Sequence, residues 1–272
     1  MMAAVTAVLN PVAFQLGAIQ VHWYGIIIAS GVVLALVLAV REGQRLGIPE
    51  DDFYDYLLWA IPAAIVCARL YYVAFQWPYY FRHPGEIIAV WDGGIAIYGA
   101  IIGGFITLVV FCRQRHLKLW TMLDVISPTL IMAQGIGRWG NFMNQEAFGG
   151  VTSRAALVAQ HIPAWIINQM NIGGAYRVPT FLYESLWDLS GFVLLMLLRH
   201  RPHLFKQGEV FLTYVIWYAA GRFVIEGLRT DSLMLGPIRI SQLLSVLFLV
   251  AALVVMVARR RTKKLAWYWT SK

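Results

Sequence analysis

Long apolar runs with almost no charged residues alternate with short polar segments along the whole chain. A helix needs about 20 apolar residues to cross the ~30 Å hydrocarbon core of a bilayer, and seven runs approach that length. The pattern predicts seven transmembrane helices at residues 19–40, 56–75, 94–112, 121–136, 181–198, 210–228 and 240–258. We therefore predict an all-α polytopic membrane protein, with residues 1–272 forming a single integral membrane domain.

Composition supports the same class of protein. The chain is 60% hydrophobic and 13% charged, whereas an ordinary soluble domain has about 25% charged residues and can cover its surface with them. A soluble fold is therefore excluded. The two cysteines, Cys67 and Cys112, lie inside apolar runs without Cys or His neighbours at ligand spacing, so neither a disulfide framework nor a metal site is predicted.

The positions of the basic residues predict the orientation in the membrane. Fourteen of the 22 cations, including all five lysines, follow predicted helices 1, 3, 5 and 7. Since Lys and Arg in short loops stay on the cytoplasmic side, the amino terminus is predicted outside and the carboxyl terminus inside. The net charge of +8 then reflects topology and attraction to anionic membrane lipids, and no nucleic-acid partner is needed to explain it.

A long connection between predicted helices 4 and 5, residues 137–180, lies on the outer side and is rich in Gly, Asn and Arg. Glycines and polar residues are most concentrated in the segment 135–150, which overlaps the start of this connection. Glycines let the backbone approach a ligand closely, and Arg138, Asn141, Asn144 and Glu146 supply donors and an acceptor. We expect an irregular backbone around a ligand cavity here. The alternative is an ordinary Gly-rich loop.

Ionisable residues inside predicted helices cost about 2.5 to 3.5 kcal/mol on insertion scales, so they are functional candidates. Arg222, Glu226 and Arg229 have the spacing of one helical face, and Glu184 and Asp188 share a face near the same outer boundary. All eight cations that lie in spans or outside are arginines. Guanidinium suits a planar anion such as a phosphate diester. A structural ion pair between helices remains the alternative for Arg229 with Glu226.

Three further positions near the outer ends of predicted helices are candidates. Tyr24 follows His22 and Trp23, where an aromatic belt is the alternative. Tyr98 lies beside glycines, and Arg69 could reach a lipid headgroup or a carboxylate. Gly99 and Gly103 form a GxxxG pair, which predicts close helix packing.

The segments that contain these residues resemble prolipoprotein diacylglyceryl transferases. The run GRWGNFMNQEAFG, residues 137–149, is similar to the signature of that family. HWYG at His22, ARLYYVAF at Ala68, WDGGIAIYG at Trp91, LYE at Leu182 and GRFVIEGLRTD at Gly221 follow in the family's order. The resemblance covers nearly the whole chain.

The resemblance implies an enzyme of the bacterial cell membrane whose active site faces the outer leaflet. Such enzymes move the diacylglyceryl group of phosphatidylglycerol to the lipobox cysteine of a preprolipoprotein signal peptide, form a thioether and release glycerol phosphate, without a cofactor. Arg138 and Arg222 match the family's phosphate-binding arginines. Other positions matching its site residues are Tyr24, Asn141, Glu146, Gly149, Glu226 and Arg229. From the residue reasoning above, we add Arg69, Asn144 and Glu184 as substrate-binding candidates.

Tyr98 departs from the pattern, because many members of the family have a histidine there that is proposed as the base. A phenol with a pKa of about 10 is a poor base at neutral pH. Tyr98, Glu146 and the substrate phosphate therefore remain alternative proton acceptors. We count Arg138, Arg222, Tyr98 and Glu146 as the predicted catalytic set.

Two other classes of membrane protein share part of this pattern. An anion or phospholipid transporter would also use intramembrane arginines, but no internal repeat relates two halves of the chain. A membrane protease would need a serine or metal constellation, and the sequence has neither an HExxH nor a GxSx nucleophile context.

Overall fold

The computed structural model describes residues 8–17, 19–230, 232, 234–261 and 265–270. The described residues of Met1–Val37 and Asp124–Lys272 form one compact unit, and those of Leu38–Leu123 form a second. The boundaries fall inside two long helices. That the whole chain acts as one integral membrane domain stays a prediction.

The described part of the chain is mostly helical. The helices are α1 (Trp23–Arg45), α2 (Glu50–Phe75), α3 (Trp77–Tyr80), α4 (Ile97–Gln114), α5 (Leu119–Met143), α6 (Arg154–Ala159), α7 (Ala164–Gln169), α8 (Thr180–Leu198), α9 (Glu209–Glu226) and α10 (Ile240–Arg261). The strands are β1 (Val12–Leu16), β2 (Ile19–His22), β3 (Val151–Thr152), β4 (Asn171–Ile172), β5 (Ala175–Arg177), β6 (Met234–Leu235) and β7 (Ile238–Arg239).

Six of the helices are long and apolar enough to cross a membrane, namely α1, α2, α4, α5, α8 and α10. They overlap the predicted segments, so the membrane class is confirmed. The sixth predicted segment, 210–228, corresponds to α9. That helix contains Glu209, Arg222 and Glu226 within its 18 residues, whereas each of the six has an 18-residue stretch with at most two charged residues.

The structure corrects the predicted boundaries chiefly at three places. Helix α2 begins at Glu50, six residues before the predicted start at residue 56. Residues Ile19–His22 are a strand that pairs antiparallel with β1, so the first helix begins at Trp23.

Helix α5 continues to Met143, so the signature residues Arg138 and Asn141 lie on a helix and not on an irregular loop. The predicted helix ended too early because polar side chains interrupt the apolar run at this point. Polar side chains do not break the hydrogen bonding of a helix.

The second unit is built on the packing of α2 against α4. A Cβ atom at Gly103 would lie 2.7 Å from the Cβ of Cys67, and one at Gly99 would overlap the backbone of the same turn of α2. Only glycine permits this approach, so the predicted role of the GxxxG pair in close packing is confirmed.

In the first unit, small residues on α5 receive side chains of α1. A Cβ atom at Gly140 would lie 2.7 Å from the ring of Tyr24, and one at Gly137 would lie 3.1 Å from Ile28. The glycines of the signature therefore serve helix packing on one face of α5. Arg138 follows Gly137 in sequence and therefore lies on another face of the helix.

The connection between α5 and α8 folds into a small subdomain of its own. Strands β3, β5 and β4 form an antiparallel sheet in that order, and α6 and α7 lie between β3 and β4 in sequence. A buried apolar cluster supports it, formed by Phe142, Leu157, Ile162, Ile166, Ile167, Met170 and Phe181. Because α5 and α8 contribute Phe142 and Phe181, the subdomain is anchored on the ends of both helices.

Helix α9 is held at its start by carboxylates. Asp124 of α5 accepts hydrogen bonds from the backbone N–H groups of Gly208 and Phe211, so it caps a helix to which it is remote in sequence. Glu209 is fully buried and receives two hydrogen bonds from Arg260 of α10, both at 2.9 Å.

Candidate active site

Glu184 of α8 lies between two arginines that come from different helices. Its Oε2 is 2.6 Å from Nε of Arg138 on α5, and its Oε1 accepts a hydrogen bond from Nη1 of Arg222 on α9. Glu184 is buried, and the side chains of Arg138 and Arg222 are 20% and 18% exposed. The contact with Arg138 is an ion pair without good hydrogen-bond alignment. One carboxylate thus joins three helices.

The second arginine has a further carboxylate on its own helix. Nη2 of Arg222 is 2.6 Å from Oε2 of Glu226, one turn further along α9. Glu226 is 1% exposed, and its backbone carbonyl accepts a hydrogen bond from Arg239 at the end of β7. The predicted common face is therefore confirmed for Arg222 and Glu226, and the structure shows that they form an ion pair. It is wrong for Arg229, because α9 ends at Glu226 and Arg229 lies in a β-bridge beyond it.

Sequence reasoning left two neighbours of this cluster out of the predicted site. Asp188 is 3% exposed, and its Oδ2 has no hydrogen-bond partner among the described residues. Asp188 and Tyr218 line a cavity of ≈ 10 Å³ together with Arg138, Glu184 and Arg222. Tyr218 precedes Arg222 by four residues, so helical spacing alone could have identified it. The cavity has room for about one water molecule.

A tight turn after α5 brings together the polar residues of the signature. The Oε1 atom of Glu146 accepts hydrogen bonds from the side-chain amides of Asn141, at 3.0 Å, and Asn144, at 3.3 Å. Gln145 and Ala147 have positive φ angles of 53° and 58°, which fold the backbone back on itself. The three predicted residues therefore form one local network.

Gly149 lies where three chain segments meet. Its N–H donates to the carbonyl of Val178 at 2.9 Å, and it forms an isolated β-bridge with Arg229. A Cβ atom at Gly149 would lie 2.8 Å from both Leu228 O and Val178 Cβ. Glycine is required there by close backbone approach, so this position links the signature to the end of α9.

Arg69 and Tyr98 belong to the second unit. Arg69 is 6% exposed, and its guanidinium donates to four backbone carbonyls in the connection between α2 and α4. Tyr98 is the second residue of α4, is partly buried, and has its ring centroid 6.4 Å from that of Tyr71. The contacts of Arg69 favour a structural role, and its predicted part in substrate binding stays a prediction.

Among the described residues, no group of three or more His, Cys, Asp or Glu side chains could hold a metal ion. The polar chemistry of the cluster around Glu184 consists of two guanidiniums, three carboxylates and one phenol. Two guanidiniums from different helices that converge on one oxyanion form an arrangement suited to an anionic group such as a phosphate.

Known proteins are similar to this chain over nearly its whole length. A protein of Limosilactobacillus reuteri strain DSM 20016 is 74% identical over 265 residues, which cover 97% of this chain and 96% of that protein. A protein of Lactiplantibacillus plantarum is 63% identical, with 95% and 92% covered, and one of Lactobacillus acidophilus is 53% identical, with 96% and 94% covered. All three bear the name phosphatidylglycerol–prolipoprotein diacylglyceryl transferase.

The sequence model of one family matches residues 11–258. This range contains the helices that carry Arg138, Glu184 and Arg222, as well as the subdomain between α5 and α8. The resemblance noted from the sequence motifs is thereby confirmed, and the chain belongs to the prolipoprotein diacylglyceryl transferase family.

Proposed function

We propose that the protein transfers the diacylglyceryl group of phosphatidylglycerol to the lipobox cysteine thiol of a preprolipoprotein. The observation that carries the proposal is the convergence of Arg138 and Arg222 on Glu184, in a chain whose relatives are named for this reaction. An anion transporter is not favoured, because none of the relatives described above bears such a name.

The arginine pair supplies a site for the phosphate of the lipid. Glu184 holds Arg138 through Nε, and in the part of the chain that the structure describes neither terminal amino group of Arg138 has a protein acceptor. Those two groups form one edge of the guanidinium fork and are free to bind a phosphate oxygen pair. Arg222 retains Nε for the same purpose, because its Nη groups contact Glu184 and Glu226.

The reaction follows from this placement. The cysteine sulfur attacks the glycerol carbon that bears the phosphate oxygen, a C–S bond forms and the C–O bond breaks. Glycerol phosphate leaves with the electron pair, and the two guanidiniums stabilise the negative charge that collects on it. The thiol proton passes to an acceptor, for which Tyr98, Glu146 and the phosphate itself are the candidates.

The remaining predicted residues are proposed to bind substrate around this centre. Asn141 and Asn144 orient Glu146, and Gly149 keeps the backbone of the signature against the end of α9. Tyr24 packs on Gly140, which lies between Trp139 and Asn141 in sequence. Arg229 forms a β-bridge with Gly149 just beyond the end of α9, and Arg69 belongs to the second unit.

We further propose seven spans, with α9 as the sixth in order, and an active site toward the outer leaflet of the bacterial cell membrane. The charges of α9 are paired, Arg222 with Glu226 and Glu184, and Glu209 with Arg260. Pairing reduces the cost of placing charged groups in the membrane, so the charge content of α9 is compatible with a span.

The decisive experiment uses the full chain purified in detergent, with phosphatidylglycerol labelled in its headgroup and a lipobox peptide. We expect release of glycerol phosphate together with a lipid-modified peptide. A peptide in which serine replaces the lipobox cysteine is the matched control and should release none. Release without the cysteine would point to a phospholipase, and failure to release with it would reject the transferase.

A further inference from the structure

A pocket of ≈ 410 Å³ opens in the connection between α2 and α4, entirely within the second unit. Its walls are formed by Arg69, Tyr72, Gln76, Tyr79, Tyr80 and Glu86. This volume is within the range of small-molecule sites. Of these wall residues, only Arg69 was among the site residues predicted from the sequence.

Arg69 builds the framework of the pocket. Its Nε donates to Ile87 O at 2.9 Å, Nη1 to Gly93 O and Gly94 O at 2.7 and 2.9 Å, and Nη2 to Glu86 O at 2.6 Å. Four of its five N–H groups are therefore used by backbone carbonyls. The connection is held in one shape around a buried guanidinium. One N–H group of Arg69 is not used by these carbonyls.

Several polar groups of the walls have no protein partner. Within the described residues, the hydroxyls of Tyr72 and Tyr80 and the side-chain amide of Gln76 make no hydrogen bond to the protein. Tyr79 donates to Oε2 of Glu86 at 2.8 Å, which leaves Oε1 as an acceptor. That hydrogen bond also raises the pKa of Tyr79. The pocket thus offers both donors and acceptors beside aromatic rings.

The charges of the pocket oppose an ionic ligand of either sign. The guanidinium of Arg69 lies 5.1 Å from the ring centroid of Tyr80, so the aromatic face that would attract a cation is already occupied. The Glu86 carboxylate would repel an anion, and together Glu86 and Arg69 give the pocket one charge of each sign and no net charge. A neutral ligand with several hydroxyls matches the mixture of donors, acceptors and ring faces.

The surroundings of the pocket are exposed and apolar. Trp77, Phe81 and Trp91 are 54%, 73% and 75% exposed, and they flank the wall residues in sequence. Aromatic side chains of this kind lie at the headgroup level of a bilayer. The rim therefore places the mouth of the pocket at lipid headgroups.

We propose that this pocket binds the neutral polyhydroxyl headgroup, such as a sugar, of a membrane lipid other than the phosphatidylglycerol substrate. The site does not depend on the proposed transfer reaction. It is composed of residues of the second unit, and its occupation can be measured without turnover.

The test uses the full chain in lipid nanodiscs with Trp77 replaced by the photoreactive p-benzoylphenylalanine. Discs contain either glucosyl diacylglycerol, which has a neutral polyhydroxyl headgroup, or phosphatidic acid, which lacks one. We expect preferential crosslinking to the glucosyl lipid. The double variant Tyr72→Phe/Gln76→Ala should reduce that crosslinking. Loss of one neutral hydrogen bond of about 0.5 to 1.5 kcal/mol corresponds to a 2 to 13-fold reduction, and the variant removes at least one such bond.

Tyr54→Phe is the matched control, because Tyr54 is exposed on the same helix outside the pocket and loses the same hydroxyl. Thermal unfolding of each variant confirms that folding is retained. Competition by free glucose would show that the polyhydroxyl group alone suffices, whereas its failure would show that the lipid must carry it. Equal crosslinking to both lipids, or no effect of the double variant, would overturn the proposal.

Discussion

The indole N–H groups of Trp187 and Trp217 each donate to the backbone carbonyl of the other residue, at 2.9 and 3.0 Å. The rings are stacked with centroids 4.5 Å apart. Each ring lies over a glycine of the opposite helix, Trp187 over Gly221 and Trp217 over Gly191. Because Trp187 follows Glu184 by three residues and Gly221 precedes Arg222, this exchange sets the distance between the carboxylate and the arginine.

The glycines under this tryptophan pair give the first prediction. Gly191→Ala would place a Cβ atom 2.5 Å from the ring of Trp217, and we expect overpacking to lower the free energy of unfolding by about 1 to 3 kcal/mol. Thermal unfolding in detergent measures this. Gly104→Ala is the control, because no atom lies within 4 Å of its Cβ position. Equal stability of the Gly191 variant and this control would contradict the packing.

Arg138→Lys and Arg222→Lys should each lose most transferase activity although the positive charge is retained. A compact ammonium cannot replace the two parallel hydrogen bonds that the free edge of Arg138 can make to phosphate. Nor can it contact Glu184 and Glu226 as the two Nη groups of Arg222 do while a third donor faces the phosphate. Turnover of the lipobox peptide, corrected for the amount of folded protein, is the measurement. Full activity of either variant would show that a point charge suffices.

Glu184 and Glu226 are expected to differ in importance, because Glu184 contacts both arginines and Glu226 contacts Arg222 alone among them. Glu184→Gln keeps the volume but removes the shared counter-charge. Loss of one partner of a buried ion pair costs about 3 to 5 kcal/mol. Activity and protein abundance should both fall in Glu184→Gln.

The comparison variant Glu226→Gln should lose activity more than abundance, because Arg222 keeps Glu184 as a partner in it. Immunoblots of membranes and turnover of purified protein separate the two effects. An equal loss of abundance in both variants would mean that Glu226 is mainly a structural ion pair.

Tyr98→Phe tests whether the phenol takes the thiol proton. Removal of a general base typically lowers the rate 10² to 10⁴-fold, whereas loss of one neutral hydrogen bond lowers it about 2 to 13-fold. We expect the smaller effect, since the arginines provide the main stabilisation of the leaving phosphate. Turnover at saturating phosphatidylglycerol decides, and a loss above a hundredfold with normal abundance would make Tyr98 catalytic.

The proposed topology places the carboxyl terminus in the cytoplasm. Fusions to a reporter that fluoresces only in the cytoplasm and to one active only outside should give signal for the first alone. The same pair inserted in the β1–β2 hairpin should give the reverse. Activity of the outside reporter at the carboxyl terminus would refute the seven-span arrangement.

The apolar runs were sufficient to predict the membrane class and most helix positions, because burial in lipid demands long uncharged helices whatever their neighbours are. Helical spacing likewise paired Arg222 with Glu226, since i and i+4 residues meet on any helix. The signature motif placed Arg138, Asn141 and Glu146 among the candidates. These inferences rest on local geometry, which the order of residues dictates.

Contacts between different helices could not be predicted from the spacing of residues along one helix. Spacing along one helix carries no information about which helix lies opposite, so the sequence did not reveal that Glu184 joins Arg138 to Arg222. It also gave no sign that Arg69 is held by four carbonyls of a distant connection, or that Asp124 caps α9. Those partners come together by packing of glycine and tryptophan surfaces, which is a property of the folded chain.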